Sequence, residues 1–287
     1  MAEMAAAIGD KADAVQWAAL VPRIRAAFVA AYRRPDGSIT MGTQTVYAMA
    51  LGMHLITDPL EREQTAAKFV AKLAADNFHL KTGFLGTPWL LPARTSIGRD
   101  DLAMRLLDNE DYPSWGFEVR MGATTMWERW NGIHPDGTFG PASMNSFNHY
   151  AYGAVGDWMF QHLGGLQALA PGYSKARIAP LIRRSGLTYA RCRQLTPYGL
   201  LSCNWQLTGG NLTLAATVPV NTSAEIVIPA TDPHAVQEGG VPAVSTPGVR
   251  KSTFAAGHLT LLVGSGHYEF TTTLPRSAAS NTDESTP

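Results

Sequence analysis

Apolar residues in the first part of the chain recur at spacings of three and four, which marks one face of a helix. Between Asp13 and Arg33 that face holds Ala14, Trp17, Ala18, Val21, Ile24, Ala27 and Phe28, and it predicts a core-facing helix with Asp13 as N-cap. Pro35-Asp36-Gly37 supplies the next turn. Further helices are expected over residues 43–56, 59–77, 87–97, 99–107 and 146–163, with a helix-forming stub at Met1 to Ile8. The connections are short, so consecutive helices should pack as antiparallel hairpins. Residues 108–145 are the exception: long, rich in Gly, Pro and Trp, and weakly periodic. A stretch of that kind inside a compact domain usually carries function.

The pattern changes near Arg183 to a period of two. Leu212, Leu214, Ala216 and Val218 form one alternating run; Ala224, Ile226 and Ile228 form a second; Leu259, Leu261 and Val263 form a third. Gly, Pro or Asn bounds each run. The expected fold is therefore mainly α with a C-terminal all-β domain, an antiparallel β-sandwich. The expected division is 1–183 helical, 184–275 β-sandwich and 276–287 a disordered tail of Ser, Ala, Thr and acid. Thr196-Pro197-Tyr198-Gly199 reads as a hairpin turn that would set Cys192 opposite Cys203. A strained cross-strand disulfide and a pair of reduced thiols are both compatible with that register.

Composition narrows the function classes. The 287 residues are 45% apolar, enough to bury a sizeable core. Lys plus Arg and Asp plus Glu each number 23, and a net charge of zero argues against nucleic acid and anionic membranes as partners. No apolar run approaches the roughly 20 residues that span a bilayer. The N-terminus lacks the basic start and apolar stretch of a secretory signal, so a cytoplasmic location is expected. Two cysteines rule out a disulfide framework.

Residues 108–145 combine Trp115, Trp127 and Trp130 with Glu110, Asp111, Glu118, Glu128 and Asp136; His134 lies among them and His149 just beyond. Indole rings stack on the apolar faces of pyranoses and carboxylates bind the hydroxyl rim. Cleaving a glycosidic bond needs two carboxyl groups, one protonating the leaving oxygen and one activating water or attacking carbon. His134 and His149 lack an i, i+4 partner of ligand type and no cysteine cluster occurs, so no metal or other cofactor is expected. No Gly-x-Ser-x-Gly elbow supports a serine hydrolase.

The order of residues is more specific than their composition. Gly122-Ala123-Thr124-Thr125-Met126-Trp127-Glu128-Arg129-Trp130 resembles the signature of the α-L-rhamnosidases, which are six-hairpin glycosidases. Gly42-Thr43-Gln44-Thr45, Gly83-Phe84-Leu85-Gly86-Thr87 and Tyr112-Pro113-Ser114-Trp115-Gly116 are similar to further family segments, as is the run from Ser143 through Asn148-His149 to Gly153. The resemblance covers about residues 1–275 and implies a partial (α/α)6 barrel ahead of the sandwich. It also implies hydrolysis of terminal α-L-rhamnosides with inversion, Glu128 being the general base. The inverting geometry then calls for a second carboxyl group roughly 6.5–9.5 Å away. His149, Trp127, Trp130 and Trp115 become the expected substrate-binding residues, and the implied partner is a rhamnose-containing glycoside or oligosaccharide. Glu118 is a candidate supporting carboxylate.

The family's general acid lies in an acidic loop that has no counterpart before Gly42. The helices also number about seven, against about twelve for a full barrel. These observations predict a truncated chain, poor turnover in isolation, and association through the incomplete barrel. Two other readings stay open: another six-hairpin glycosidase, and a non-catalytic carbohydrate-binding remnant.

Overall fold

The computed structural model describes residues 1–182 and 186–274. The chain forms two compact units, Met1–Val155 and Gly156–Pro287. The expected change of character at Arg183 and the expected tail at 276–287 lie outside the described residues.

The first unit is helical: α1 (Ala2–Ala7), α2 (Lys11–Tyr32), α3 (Gln44–Gly52), α4 (Pro59–Ala75), α5 (Thr87–Thr95), α6 (Asp100–Leu107) and α7 (Trp115–Arg120). The cap of α2 is Asp10 rather than Asp13, because the Asp10 carboxylate accepts the Asp13 N–H at 3.0 Å. Its apolar stripe does not face a core. No residue of α2 is buried, Ile24 is 51% exposed, and its main neighbour is the short α1. A helix stripe becomes core only when another element supplies an opposing surface. The core lies instead between α3, α4, α5 and α6, where Tyr47, Leu51, Phe69, Leu73, Leu90 and Leu106 are buried. Asp58 caps α4 through the Glu61 N–H, and Pro59 occupies the first turn, where its missing N–H costs nothing.

Two regions depart from the periodicity. The long stretch expected to be irregular contains α7, capped by Ser114 through the Phe117 N–H at 2.9 Å. The helix expected over 146–163 is instead three short turns: a 3₁₀ turn at Tyr150–Ala154, an α turn at Val155–Trp158 and a π turn at Met159–Leu163. The His149 ring caps the first of these, and Gly153 and Gly156 weaken any longer helix through this region. One turn occurs twice in the unit. In Arg34-Pro35-Asp36-Gly37-Ser38 and His134-Pro135-Asp136-Gly137-Thr138 the same aspartate accepts from the Ser or Thr two residues on. Each turn is closed by a bridge, Arg33 to Ile39 and Ile133 to Phe139.

The second unit is a β-sandwich. Its strands are β1 (Leu166–Ala168), β2 (Lys175–Ile178), β3 (Tyr189–Thr196), β4 (Gly199–Thr208), β5 (Asn211–Val218), β6 (Ser223–Pro229), β7 (Gln237–Glu238), β8 (Val241–Pro242), β9 (Val249–Ala255), β10 (His258–Val263) and β11 (Gly266–Thr273). One sheet runs β1-β2-β6-β10-β9 and the other β3-β4-β5-β11-β7-β8. β1 and β2 are too short to show a period of two, so the β-region opens earlier than the alternation suggests. The sandwich is also not wholly antiparallel, since β2 pairs parallel to β6. The chain passes through β3, β4 and β5 in the other sheet between them, which frees that pair from hairpin geometry. Trp205, Leu214, Ile226, Ile228, Leu261 and Phe270 fill the space between the sheets. Cys192 stands opposite Cys203 as the hairpin turn predicts, and both are buried free thiols.

Candidate functional site

The segment after α7 folds back so that residues 125–128 run beside 146–149. The Glu128 N–H donates to the Ser146 carbonyl at 2.9 Å, and the His149 N–H donates to the Met126 carbonyl at 2.8 Å. The Thr125 hydroxyl donates to the Phe147 carbonyl. The Glu128 carboxylate accepts the Ser146 N–H at 2.7 Å, so Ser146 holds this residue at both backbone and side chain. Asn145 donates to the Gly132 carbonyl at 3.0 Å. A Cβ on Gly140 would collide with the Asn131 carbonyl oxygen, which explains glycine there.

Glu128 opens into a cavity of about 390 Å³ lined by Phe84, Tyr112, Arg129, Trp130, Met144 and Tyr152, among others. Among the described lining residues Glu128 is the one carboxylate. It forms no ion pair with Arg129, whose guanidinium donates to Asn131 at 3.1 Å. A carboxylate free of a cation keeps its lone pairs for water or a hydroxyl.

Aromatic packing fixes the wall. Trp130 stacks on Tyr152 with centroids 3.9 Å apart and planes 3° from parallel. Its indole N–H donates to the Thr82 carbonyl at 2.7 Å. Trp115 meets Trp130 edge-on at 5.3 Å and donates to the Tyr152 carbonyl at 3.2 Å. Trp127 is buried edge-on against Phe147. Trp130 thus lines the cavity, whereas Trp115 and Trp127 pack the interior and are not among its lining residues. His149 stacks on the lining ring of Phe84 at 4.7 Å. Its Nδ1 accepts the Ala151 N–H at 3.4 Å, an assignment that leaves the Nε2–H as a donor.

The segment that leads to Phe84 is tied to α3. Buried Gln44 donates to Asp76 at 2.9 Å and to the His79 carbonyl at 2.8 Å, and accepts the Lys81 N–H. Phe84, Tyr112 and Tyr152 carry no periodic or compositional sign of a role; the motifs that contain them are their one signal. Glu118 is 3% exposed, with the Trp127 backbone N–H near its carboxyl and its Oε1 without a partner. Burial pushes its carboxyl up to about 8, against the opposing pull of that N–H. Burial, together with the charges of Glu118 and Glu128, raises the Tyr152 hydroxyl to about 12, with Arg129 opposing. Among the described residues no group of three or more His, Cys, Asp or Glu gathers to hold a metal.

Residues 1–163 match the model of the bacterial alpha-L-rhamnosidase 6 hairpin glycosidase domain, and residues 165–242 that of the bacterial alpha-L-rhamnosidase C-terminal domain. The chain belongs to the bacterial alpha-L-rhamnosidase family. An alpha-L-rhamnosidase of Streptomyces avermitilis is 45% identical over 237 residues, covering 82% of this chain and 22% of that protein. One from Formosa agariphila is 40% identical over 79% of this chain and 24% of its own length. The crystal structure of the S. avermitilis enzyme complexed with L-rhamnose superposes with a TM-score of 0.86 at 41% identity, over 94% of this chain and 25% of that one. The Aspergillus terreus enzyme gives 0.81 at 29% identity, over 94% of this chain and 28% of its own. The chain therefore spans about a quarter of the length of the relatives it matches.

Proposed function

We propose that this chain supplies the water-activating side of a site that hydrolyses α-L-rhamnosides with inversion. The observation that carries the reading is Glu128: a carboxylate with no ion pair among the described residues, clasped by Ser146, at an aromatic cavity of about 390 Å³. Glu128 takes the proton of a water attacking the anomeric carbon from the face opposite the leaving group. Rhamnose is a 6-deoxy sugar, and its methyl group suits a wall of Phe84, Trp130 and Tyr152. The Nε2–H of His149 donates to a sugar hydroxyl. The general acid comes from outside the described lining residues, since they hold no second carboxylate. The likeness to an enzyme whose structure was solved with L-rhamnose supports this choice of sugar.

Two measurements test the reading. L-Rhamnose titrated against the chain should give a saturable signal by calorimetry; none up to about 50 mM would refute a sugar site. With an aryl α-L-rhamnoside, whose leaving group needs little protonation, the residual turnover followed by proton NMR should release the β anomer first. It should fall about a thousandfold or more in Glu128→Gln. An α product, or unchanged turnover in that variant, refutes the assignment of the base.

A further inference from the structure

The outward face of the six-stranded sheet carries a second recessed surface. Register across β3, β4, β5 and β11 places residues in rows: Arg193, Ser202, Thr217, His267 in one, and Arg191, Asn204, Ala215, Glu269 in the next. A third row runs Tyr189, Gln206, Thr213, Thr271. Two depressions lie over these rows. One of about 790 Å³ is walled by His267, Glu269 and the Glu238-Gly239-Gly240 turn. The other, of about 380 Å³, is walled by Arg191, Arg193 and Leu200. Ser202 and Asn204 line both, so the two depressions adjoin across the strands and are together called the trough. Both volumes fall in the range of small-molecule sites.

The chemistry of the trough is asymmetric. Its floor is small, Ser202, Ala215 and Thr217, at positions where an outward strand face has room for long side chains. One end holds the two guanidiniums of Arg191 and Arg193, neither in an ion pair among the described residues. The other end holds Glu238, Glu269 and His267, whose Nδ1 meets the Thr217 hydroxyl at 3.0 Å. Tyr189, 60% exposed, lies at the arginine side, with the Arg191 guanidinium 5.9 Å from its ring centre. Guanidinium forks match carboxylates and sulfates. The mixed Ser, Asn, Thr, His and Glu lining matches hydroxyls that both donate and accept. A polyphosphate would be repelled by the carboxylate end, and the floor offers no apolar pocket for a peptide anchor.

We propose that this trough binds an oligosaccharide segment whose anionic sugar, a uronate or a sulfate ester, sits on Arg191 and Arg193 while neutral hydroxyls meet Asn204, Thr217, His267 and Glu269. Such a site would hold a charged stretch of polymer independently of the Glu128 cavity.

The test is calorimetric titration of the whole chain with digalacturonate, lactose 6′-sulfate, lactose and an acidic tripeptide. At least one anionic disaccharide should saturate with a millimolar Kd, and the tighter of the two names the anion. Affinity should fall about tenfold or more in Arg191→Gln/Arg193→Gln, and also in Ala215→Trp, which fills the floor without touching the arginines. Glu128→Gln should leave it unchanged, which separates this surface from the proposed catalytic cavity. The proposal is overturned by any of four results: no saturation with either anion up to about 50 mM, equal affinity for lactose or the tripeptide, indifference to the arginine variant in folded protein, or loss of binding in Glu128→Gln.

Discussion

Replacing Glu118 by Gln should stabilise the chain increasingly as pH rises. Glu118 is 3% exposed with one carboxyl oxygen lacking any partner, and burial lifts it to about 8 from an ordinary 4.5. Below the lower value the side chain is neutral in folded and unfolded chains alike, and stability does not depend on its titration. Between the two values the unfolded chain releases a proton that the folded chain keeps, so stability falls as pH rises. Each tenfold difference in proton affinity between the two states is worth about 1.4 kcal/mol, so the loss reaches on the order of 5 kcal/mol by pH 8 if the whole difference is realised. Glutamine keeps the shape and a carbonyl for the Trp127 N–H, but it does not ionise. Urea unfolding of both proteins at pH 5, 6.5 and 8 should therefore give a difference that grows in favour of Gln by several kcal/mol. A difference that is flat with pH, or that grows in favour of Glu, would refute the reasoning.

Three further outcomes are expected. Gly140→Ala pushes against the Asn131 carbonyl beside the cavity, so it should weaken L-rhamnose binding several-fold and lower stability by about 1–3 kcal/mol in thermal unfolding. Arg94→Met should raise stability by about 1 kcal/mol or more in urea. The guanidinium is fully buried with Nε and Nη2 lacking hydrogen-bond partners, and burial pulls it down to about 9 against the opposing charge of Asp101, so the cation should cost more than the Leu102 carbonyl and the Phe69 ring, 5.4 Å away, return. Thiol titration of the unfolded, unreduced chain should find both cysteines free, and in the native chain Cys203 should react far more slowly than in the unfolded one, because burial raises its thiol.

Much of this fold is legible without coordinates because strong local rules coincide with the tertiary answer. The turn at Pro197-Tyr198 sets the β3–β4 register residue by residue, and Cys192 faces Cys203 as a result. Asp58 before Pro59 starts α4 where capping chemistry says it should. The stripe on α2 misleads for the opposite reason: periodicity shows that a face is apolar, but not what covers it. His149 misleads too, since its ring ends an extended segment by capping a 3₁₀ turn, an interaction invisible to hydropathy. At the site, the position of Glu128 follows from its motif. Which indole meets the cavity does not, because Trp115, Trp127 and Trp130 have the same hydropathy and differ in their tertiary partners: the Tyr152 carbonyl for Trp115, the Phe147 ring for Trp127, and the Thr82 carbonyl with the Tyr152 ring for Trp130.

The clasp between residues 125–128 and 146–149 has a consequence for how such a site can change over evolution. Everything from 129 to 145 leaves and returns through that laced neck, carrying Trp130, Asn131 and Met144 of the cavity wall with it. Added or lost residues near its tip, around Pro135-Asp136-Gly137, cost little closure entropy and do not unlace the neck. The wall can therefore be redrawn while the carboxylate stays in place. That separates the part of the molecule free to drift from the part that has to hold still.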